Sequence, residues 1–244
     1  MPATRASNAS ALILVISNIA NEAAASLVDS FPLGAASLIT ASAFHQSFKG
    51  GLEVNDFASS QIKINGAPAP IVEISGVVTT ICSFIPPEFY YIQPADRKYV
   101  CAEMNAFFTY FLSQLNCKKI NPPSVRSFSG PNLNKIEWIK IASEANIPVW
   151  PVNIANSIDT GKGAIGKSKL KFHTCSVIGS NIIGRKPPGT LEHYMFDLQR
   201  IFDVPFLTCH FISNRPGKYF LAEMITRPDI IPAANRGAIV NYFS

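Results

Sequence analysis

What most constrains this chain is a short distance along it. A loop, helix and strand unit runs from Asn121-Pro122-Pro123 through Asn134-Lys135-Ile136-Glu137-Trp138 to Ile147-Pro148-Val149-Trp150-Pro151-Val152, and a hairpin pattern follows from Phe172 to Gly184. Only about twenty residues, rich in Gly and Lys, separate Val152 from Phe172. That length has no room for a subdomain of several strands and helices, so the two patterns are joined by little more than a linker.

The 244 residues are 48% hydrophobic and 15% charged, which supplies a substantial core and lies well away from disordered compositions. Cys82, Cys101, Cys117, Cys175 and Cys209 are far apart, odd in number and form no CxxC pair. They read as reduced thiols of a cytoplasmic protein, with no disulfides expected. Near the start, Ala11-Leu-Ile-Leu-Val-Ile16 imitates a signal sequence until Ser17, Asn18, Asn21 and Glu22 interrupt it, so a buried first strand is expected there. No apolar run approaches the ~20 residues of a membrane span. The net charge of +5 is scattered, with Lys162, Lys167, Lys169 and Lys171 the only dense group. A mildly basic solvated surface follows, with neither nucleic acid nor membrane expected as a partner.

Hydrophobic periodicity places strands at Leu12–Ile16, Leu38–Thr40 and Ile74–Cys82, an edge strand and turn at Gln61–Gly66, and helices at Asn21–Phe31 and Asp96–Leu115. Asp96 is the expected N-cap of the long helix, whose Phe107, Phe108, Tyr110 and Phe111 should bury against a sheet. Ala67-Pro-Ala-Pro70 reads as a turn. The second half continues with a strand at Cys117–Asn121, a polar loop to Pro131, a helix over Leu133–Ala145 and a strand over Ile147–Val152. After the linker come the hairpin, a helix over Thr190–Phe202 and strands at Pro205–Ile212 and Tyr219–Ile225. The class is α/β (α+β), with an open α/β domain over 1–118 and a second domain over 119–244 whose linker spans 153–171.

Tyr99 to Glu103 on the long helix, Ile120-Asn-Pro-Pro123, Asn134-Lys135 opening a helix and Ile147-Pro-Val149 together resemble the front half of ATP-grasp ligases of the glutathione synthetase and ribosomal-protein glutamate ligase kind. Ser176-Val-Ile-Gly179, Phe206-Leu-Thr-Cys-His-Phe211 and Tyr219-Phe-Leu-Ala-Glu223 with Arg227-Pro228 are similar to their C-terminal sheet. The resemblance implies a pre-ATP-grasp domain followed by an ATP-grasp-like one, with ATP held between two subdomains by lysines and enclosed by a lid. Here the short linker leaves no lid.

Other positions the resemblance marks as functional are altered. The family's arginine ahead of the hairpin glycine falls on Thr174, and its first metal carboxylate falls on or beside His210. Glu223 survives, but Ile225 stands where an Asn ligand is expected. Mg²⁺ favours hard oxygen ligands in octahedral geometry, so Glu223 with His210 makes a poor metal site. A structural pairing of Glu223 with Arg227 or Lys218 is the plainer expectation. Substrate contacts are expected at Asn121, Arg126, Lys135 and Arg227. Arg126, among Ser124, Ser127 and Ser129, suits a carboxylate or phosphate, and as a plain connector it needs no ligand.

Gly161-Lys-Gly-Ala-Ile-Gly166-Lys167-Ser168 satisfies the P-loop pattern at every position. Its chemistry needs a helix N-terminus directly after Ser168, whereas Lys169 to Gly179 alternates with period two and carries β-branched residues. A basic linker is the better reading, with Lys162 and Lys167 the residues that would touch a phosphate. A metal grouping of His173, Cys175, Cys209 and His210 fails similarly, because adjacent residues on a strand point to opposite faces.

Two functional readings follow. One is a degenerate, lidless ATP-grasp-like protein that binds a peptide or protein as a non-catalytic accessory of a peptide-modifying enzyme, with no cofactor. The other is an active ADP-forming carboxylate–amine ligase using ATP and Mg²⁺. Loss of the lid would expose apolar sheet surface, so a homodimer or heteromer is expected.

Overall fold

The computed structural model describes residues 12–18, 21–40, 43–44, 56–64, 66–151, 170–184, 187–215 and 217–244. The chain forms two compact units, one of 1–132 with 227–244 and one of 133–226. Among the described residues no helix is long and apolar enough to cross a membrane.

The first unit is built on β1 (Leu12–Ile16), β2 (Ala36–Ile39), β5 (Ile74–Thr79) and β6 (Lys118–Ile120), in the order β2-β1-β5-β6. All three pairings are parallel. A parallel sheet is covered on both faces, which is why β1 is a continuous apolar run and β5 is buried along nearly its whole length. Helix α1 (Glu22–Asp29) buries Ala24 and Leu27, and its N-cap Asn21 accepts a hydrogen bond from the Ala24 amide at 3.3 Å. Strands β3 (Gln61–Ile64) and β4 (Ala67–Pro70) form a separate antiparallel ribbon. Ala67–Pro70 is thus a strand rather than the expected turn. Its prolines lack N–H donors, a loss that a two-stranded ribbon tolerates at its edge.

Helix α2 (Arg97–Gln114) buries Cys101, Phe108, Phe111 and Leu112 on one stripe, as the helical period dictates. Phe108 lies 4.5 Å from Phe44 and 4.6 Å from Phe128 between ring centroids, both edge-on, at the centre of a phenylalanine cluster. Asp96 occupies the N-cap position but makes no side-chain cap, because its backbone is already helical.

Strand β6 pairs with β5, so the first unit extends past residue 118 to 132. The last helix, α5 (Ala233–Phe243), also belongs to this unit and has no counterpart in the sequence reading. Gly237 weakens its helical pattern, and tertiary contacts supply what propensity lacks. Lys118 donates to the Tyr242 carbonyl at 3.2 Å and sits 5.6 Å from the centre of the Tyr242 ring. Phe243 packs so closely on the backbone of Gly76 that a Cβ there would collide with its ring and with Ile13.

The second unit holds β7 (Lys171–Ile178), β8 (Asn181–Ile183), β9 (Phe206–Arg215) and β10 (Lys218–Ile225), antiparallel in the order β10-β9-β7-β8. Helix α3 (Lys135–Glu144) begins with a capping box: Asn134 accepts from the amides of Ile136 and Glu137, and Glu137 accepts from the Asn134 amide. Trp138 and Ala142 of α3, with Leu191, Met195 and Leu198 of α4 (Gly189–Phe202), share one core with Cys175, Val177, Leu207, Cys209, Phe211 and Leu221. The strand expected over Ile147–Val152 is reduced to a parallel bridge of Val149 with Leu221. Pro148 and Pro151 bracket it and deny it further donors.

Candidate functional site

Antiparallel register sets Thr174, His210 and Glu223 side by side. Thr174 on β7 lies opposite His210 on β9, which lies opposite Glu223 on β10. A bulge between Leu221 and Glu223 sets the second pairing. Thr174 Oγ1 and His210 Nδ1 are hydrogen-bonded at 2.9 Å, the donor following from the imidazole tautomer. Next along the same two strands, Ser176 Oγ and Thr208 Oγ1 are hydrogen-bonded at 2.8 Å and buried. On this face, Thr174 with His210 and Ser176 with Thr208 form two adjacent polar pairs that satisfy each other, flanked in register by Phe172 with Ile212 and by Ile178 with Phe206. Thr174 and Glu223 are exposed, and His210 is half-buried.

Glu223 makes no ion pair among the described residues, against the expected pairing with Lys218. Five residues of strand put Lys218 roughly 16 Å away. One carboxylate beside one imidazole remains a poor match for Mg²⁺, which takes several oxygens.

The opposite face of the sheet is apolar. Cys175 and Cys209 lie opposite each other on β7 and β9, both buried. Burial, then the neighbouring Cys175, pushes the Cys209 thiol far up; burial alone raises Cys175. Such thiols stay protonated and unreactive. His173 packs edge-on against Tyr219, with ring centroids 5.2 Å apart. Period-two geometry thus separates His210 from His173, Cys175 and Cys209, and among the described residues no group of three His, Cys, Asp or Glu is placed to hold a metal ion.

Lys162, Lys167 and the whole of the P-loop pattern lie outside the described residues. Strand β7 begins at Lys171, three residues after Ser168, where that pattern requires a helix. Asn121 is only 1% exposed and follows β6 directly. Arg126 is exposed on a tight turn in which Ser124 and Ser127 exchange backbone hydrogen bonds of 2.8 and 3.3 Å. The Ser124 hydroxyl braces that turn by donating to the Gly130 carbonyl at 3.1 Å, and the Ser127 hydroxyl accepts from the Ser129 amide at 3.0 Å. Ser124 and Ser127 thus hold the loop together. Lys135 is the first residue of α3, exposed, and Arg227 is exposed. Asn121, Arg126 and Arg227 belong to the first unit; Lys135, His210 and Glu223 belong to the second.

Sequence reasoning missed a cavity of about 330 Å³ in the second unit, lined by Pro148, Thr190, Tyr194, Lys218, Tyr219 and Phe220. The i, i+4 spacing of Thr190 and Tyr194 was its one visible signal. The approach of the β10 edge to α4 is long-range and has none.

No protein-family model and no curated protein sequence matches the chain. Solved structures do. The macrocyclase MdnC from Microcystis aeruginosa MRC, bound with precursor peptide MdnA, superposes with a TM-score of 0.66 at 11% identity, over 96% of this chain and 100% of that one. The ATP-grasp ligase PsnB, complexed with precursor peptide PsnA2 and AMPPNP, gives 0.67 at 11% identity over 97% of each chain. The chain shares the fold of these ligases. D-alanine-D-alanine ligase from Aeromonas hydrophila shares it at a TM-score of 0.54 and 12% identity, over 96% of this chain and 94% of that one. In this ATP-grasp fold, the Thr174, His210 and Glu223 row lies on the terminal antiparallel sheet.

Proposed function

We propose that this protein keeps the ATP-grasp fold but not its nucleotide chemistry, and serves as a non-catalytic peptide- or protein-binding accessory in a peptide-modification pathway. The observation that carries this reading is the 2.9 Å hydrogen bond between Thr174 and His210. At the positions that the resemblance assigns to a phosphate-binding arginine and a metal carboxylate, a hydroxyl and an imidazole satisfy each other. Neither supplies the fixed charge that phosphate or Mg²⁺ requires. The short connection between Val152 and Phe172 supports the same reading, since an enclosing lid needs more chain. The peptide link is supported by the neighbours, two of which are complexed with precursor peptides.

A second reading keeps an active ADP-forming carboxylate–amine ligase, with Lys162 or Lys167 on the phosphates. It is favoured by one observation: Glu223 is exposed, without an ion pair among the described residues, and in register with His210. Calorimetry with ATP in Mg²⁺ and in Mn²⁺, on wild type and Lys167→Ala, separates the two. The accessory reading expects no saturable heat with either ion. Saturable binding that Lys167→Ala abolishes would restore the ligase and replace it.

A further inference from the structure

The cavity beside β10 is lined by the aromatic residues Tyr194, Tyr219 and Phe220 and by the cation Lys218. Tyr219 is braced by the edge-on ring of His173, and Phe220 packs edge-on against Trp150 at 5.7 Å between centroids. Pro148 is held beside them because its carbonyl accepts from the Leu221 amide at 2.8 Å. Tyr194 closes the opposite side from α4, one turn after Thr190. A volume of about 330 Å³ at the low end of ligand pockets suits one large side chain rather than a nucleotide.

Charge selects among such occupants. Lys218 lines the cavity and stands directly opposite Arg215 across the hairpin, while Lys171 pairs with Ser213, two residues earlier on β9. The register thereby gathers Lys171, Arg215 and Lys218 at one end of the sheet. All three are exposed, and among the described residues none has an ion pair. Like charges directly opposed across two strands are unfavourable, and an anionic partner relieves them. Glu192, the acid nearest Thr190 in sequence, lies two positions along α4 and so off the face shared by Thr190 and Tyr194.

We propose that this cavity is an anchor site for an acidic peptide, taking one aromatic side chain between Tyr194 and Tyr219 while neighbouring carboxylates meet Lys218, Arg215 and Lys171. The proposal rests on the accessory reading and gives it a docking point outside the Thr174, His210 and Glu223 row. Peptide backbone supplies no specificity here; the ring and the flanking charge do.

Fluorescence anisotropy on the full chain tests it, with fluorescein-labelled Glu-Glu-Phe-Glu-Glu as the probe. Saturable binding is expected, at least about tenfold weaker when the central Phe becomes Ala and absent for Lys-Lys-Phe-Lys-Lys. Lys218→Glu should weaken the acidic probe by about tenfold and flatten its salt dependence. Thr190→Trp, at an exposed position on the rim, should fill the cavity and abolish binding with an unchanged thermal melt. No saturable binding, equal binding of the Ala probe, or indifference to both Thr190→Trp and Lys218→Glu would overturn the proposal. ATP titrated into the same sample reports on the accessory reading separately. A protein blind to both ATP and the acidic probe loses the anchor site alone, whereas saturable ATP binding removes the accessory reading whichever peptide binds.

Discussion

The two sheets of this protein solve the burial problem in opposite ways. In the parallel sheet of the first unit, β1 and β5 are buried along nearly their whole length, because both faces are covered. In the antiparallel sheet of the second unit, one face carries Cys175, Val177, Leu207, Cys209, Phe211 and Leu221 into a core. The other sets out Thr174, Ser176, Thr208, His210 and Glu223. Alternation makes such a sheet a platform, one side packed throughout and the other carrying polar pairs that run from buried Ser176 and Thr208 to exposed Thr174. Substitutions at the exposed Thr174 and Glu223 positions of that second side leave the core residues of the first side untouched.

The sharpest way to break this contrast is at the first unit's centre. Phe108→Ala should cost about 3–5 kcal/mol in urea unfolding, the range for a fully buried aromatic. A cost below ~1 kcal/mol would mean the phenylalanine cluster is not the organising core. Gly76→Ala is expected to cost about 1–3 kcal/mol by overpacking, since its Cβ meets Phe243 and Ile13. The double variant Gly76→Ala with Phe243→Ala should recover part of that loss, which checks that α5 is docked on β5.

The packed face of the second sheet gives a smaller, pH-dependent signal. Cys175 and Cys209 have thiols raised by burial, so they bind protons more tightly in the folded state than in the unfolded chain. Their contribution is fully present below the unfolded thiol range, about pH 8.5, and is lost as the pH rises above it. The urea midpoint should therefore fall between about pH 8 and pH 10.5, with a shallower fall in Cys209→Ala. A thiol reagent at neutral pH should label half-buried Cys82 and Cys117 before any buried cysteine. Early labelling of Cys209 would contradict the packing.

The least effect belongs to the polar face. Thr174→Val removes one partly exposed hydrogen bond, and its expected cost is about 0.5–1 kcal/mol or less. A loss above ~2 kcal/mol would show that this pairing is structural after all, and the platform contrast would fail.

Much of this architecture was legible locally. The apolar run Leu12–Ile16, the stripe of α2 and the Asn134 and Glu137 capping box are each written within a few consecutive residues. Helix α5 was not legible, because Gly237 dilutes its pattern and its support comes from Gly76 and Lys118, more than a hundred residues earlier. The proline-bearing β4 was read as a turn for a related reason: proline argues against a strand until its partner is known.

By itself the sequence determined that Cys209 and His210 face opposite ways, and that the stretch from Lys171 continues as a strand where a phosphate loop needs a helix. These follow from periodicities of two and 3.6 and from the chemistry of each side chain. Only the tertiary structure decided that Thr174 bonds to His210, that Glu223 stands in register beside them, and that Tyr194, Lys218 and Tyr219 enclose a cavity. Register between strands is set by core packing and a bulge between Leu221 and Glu223, which are interactions between distant segments.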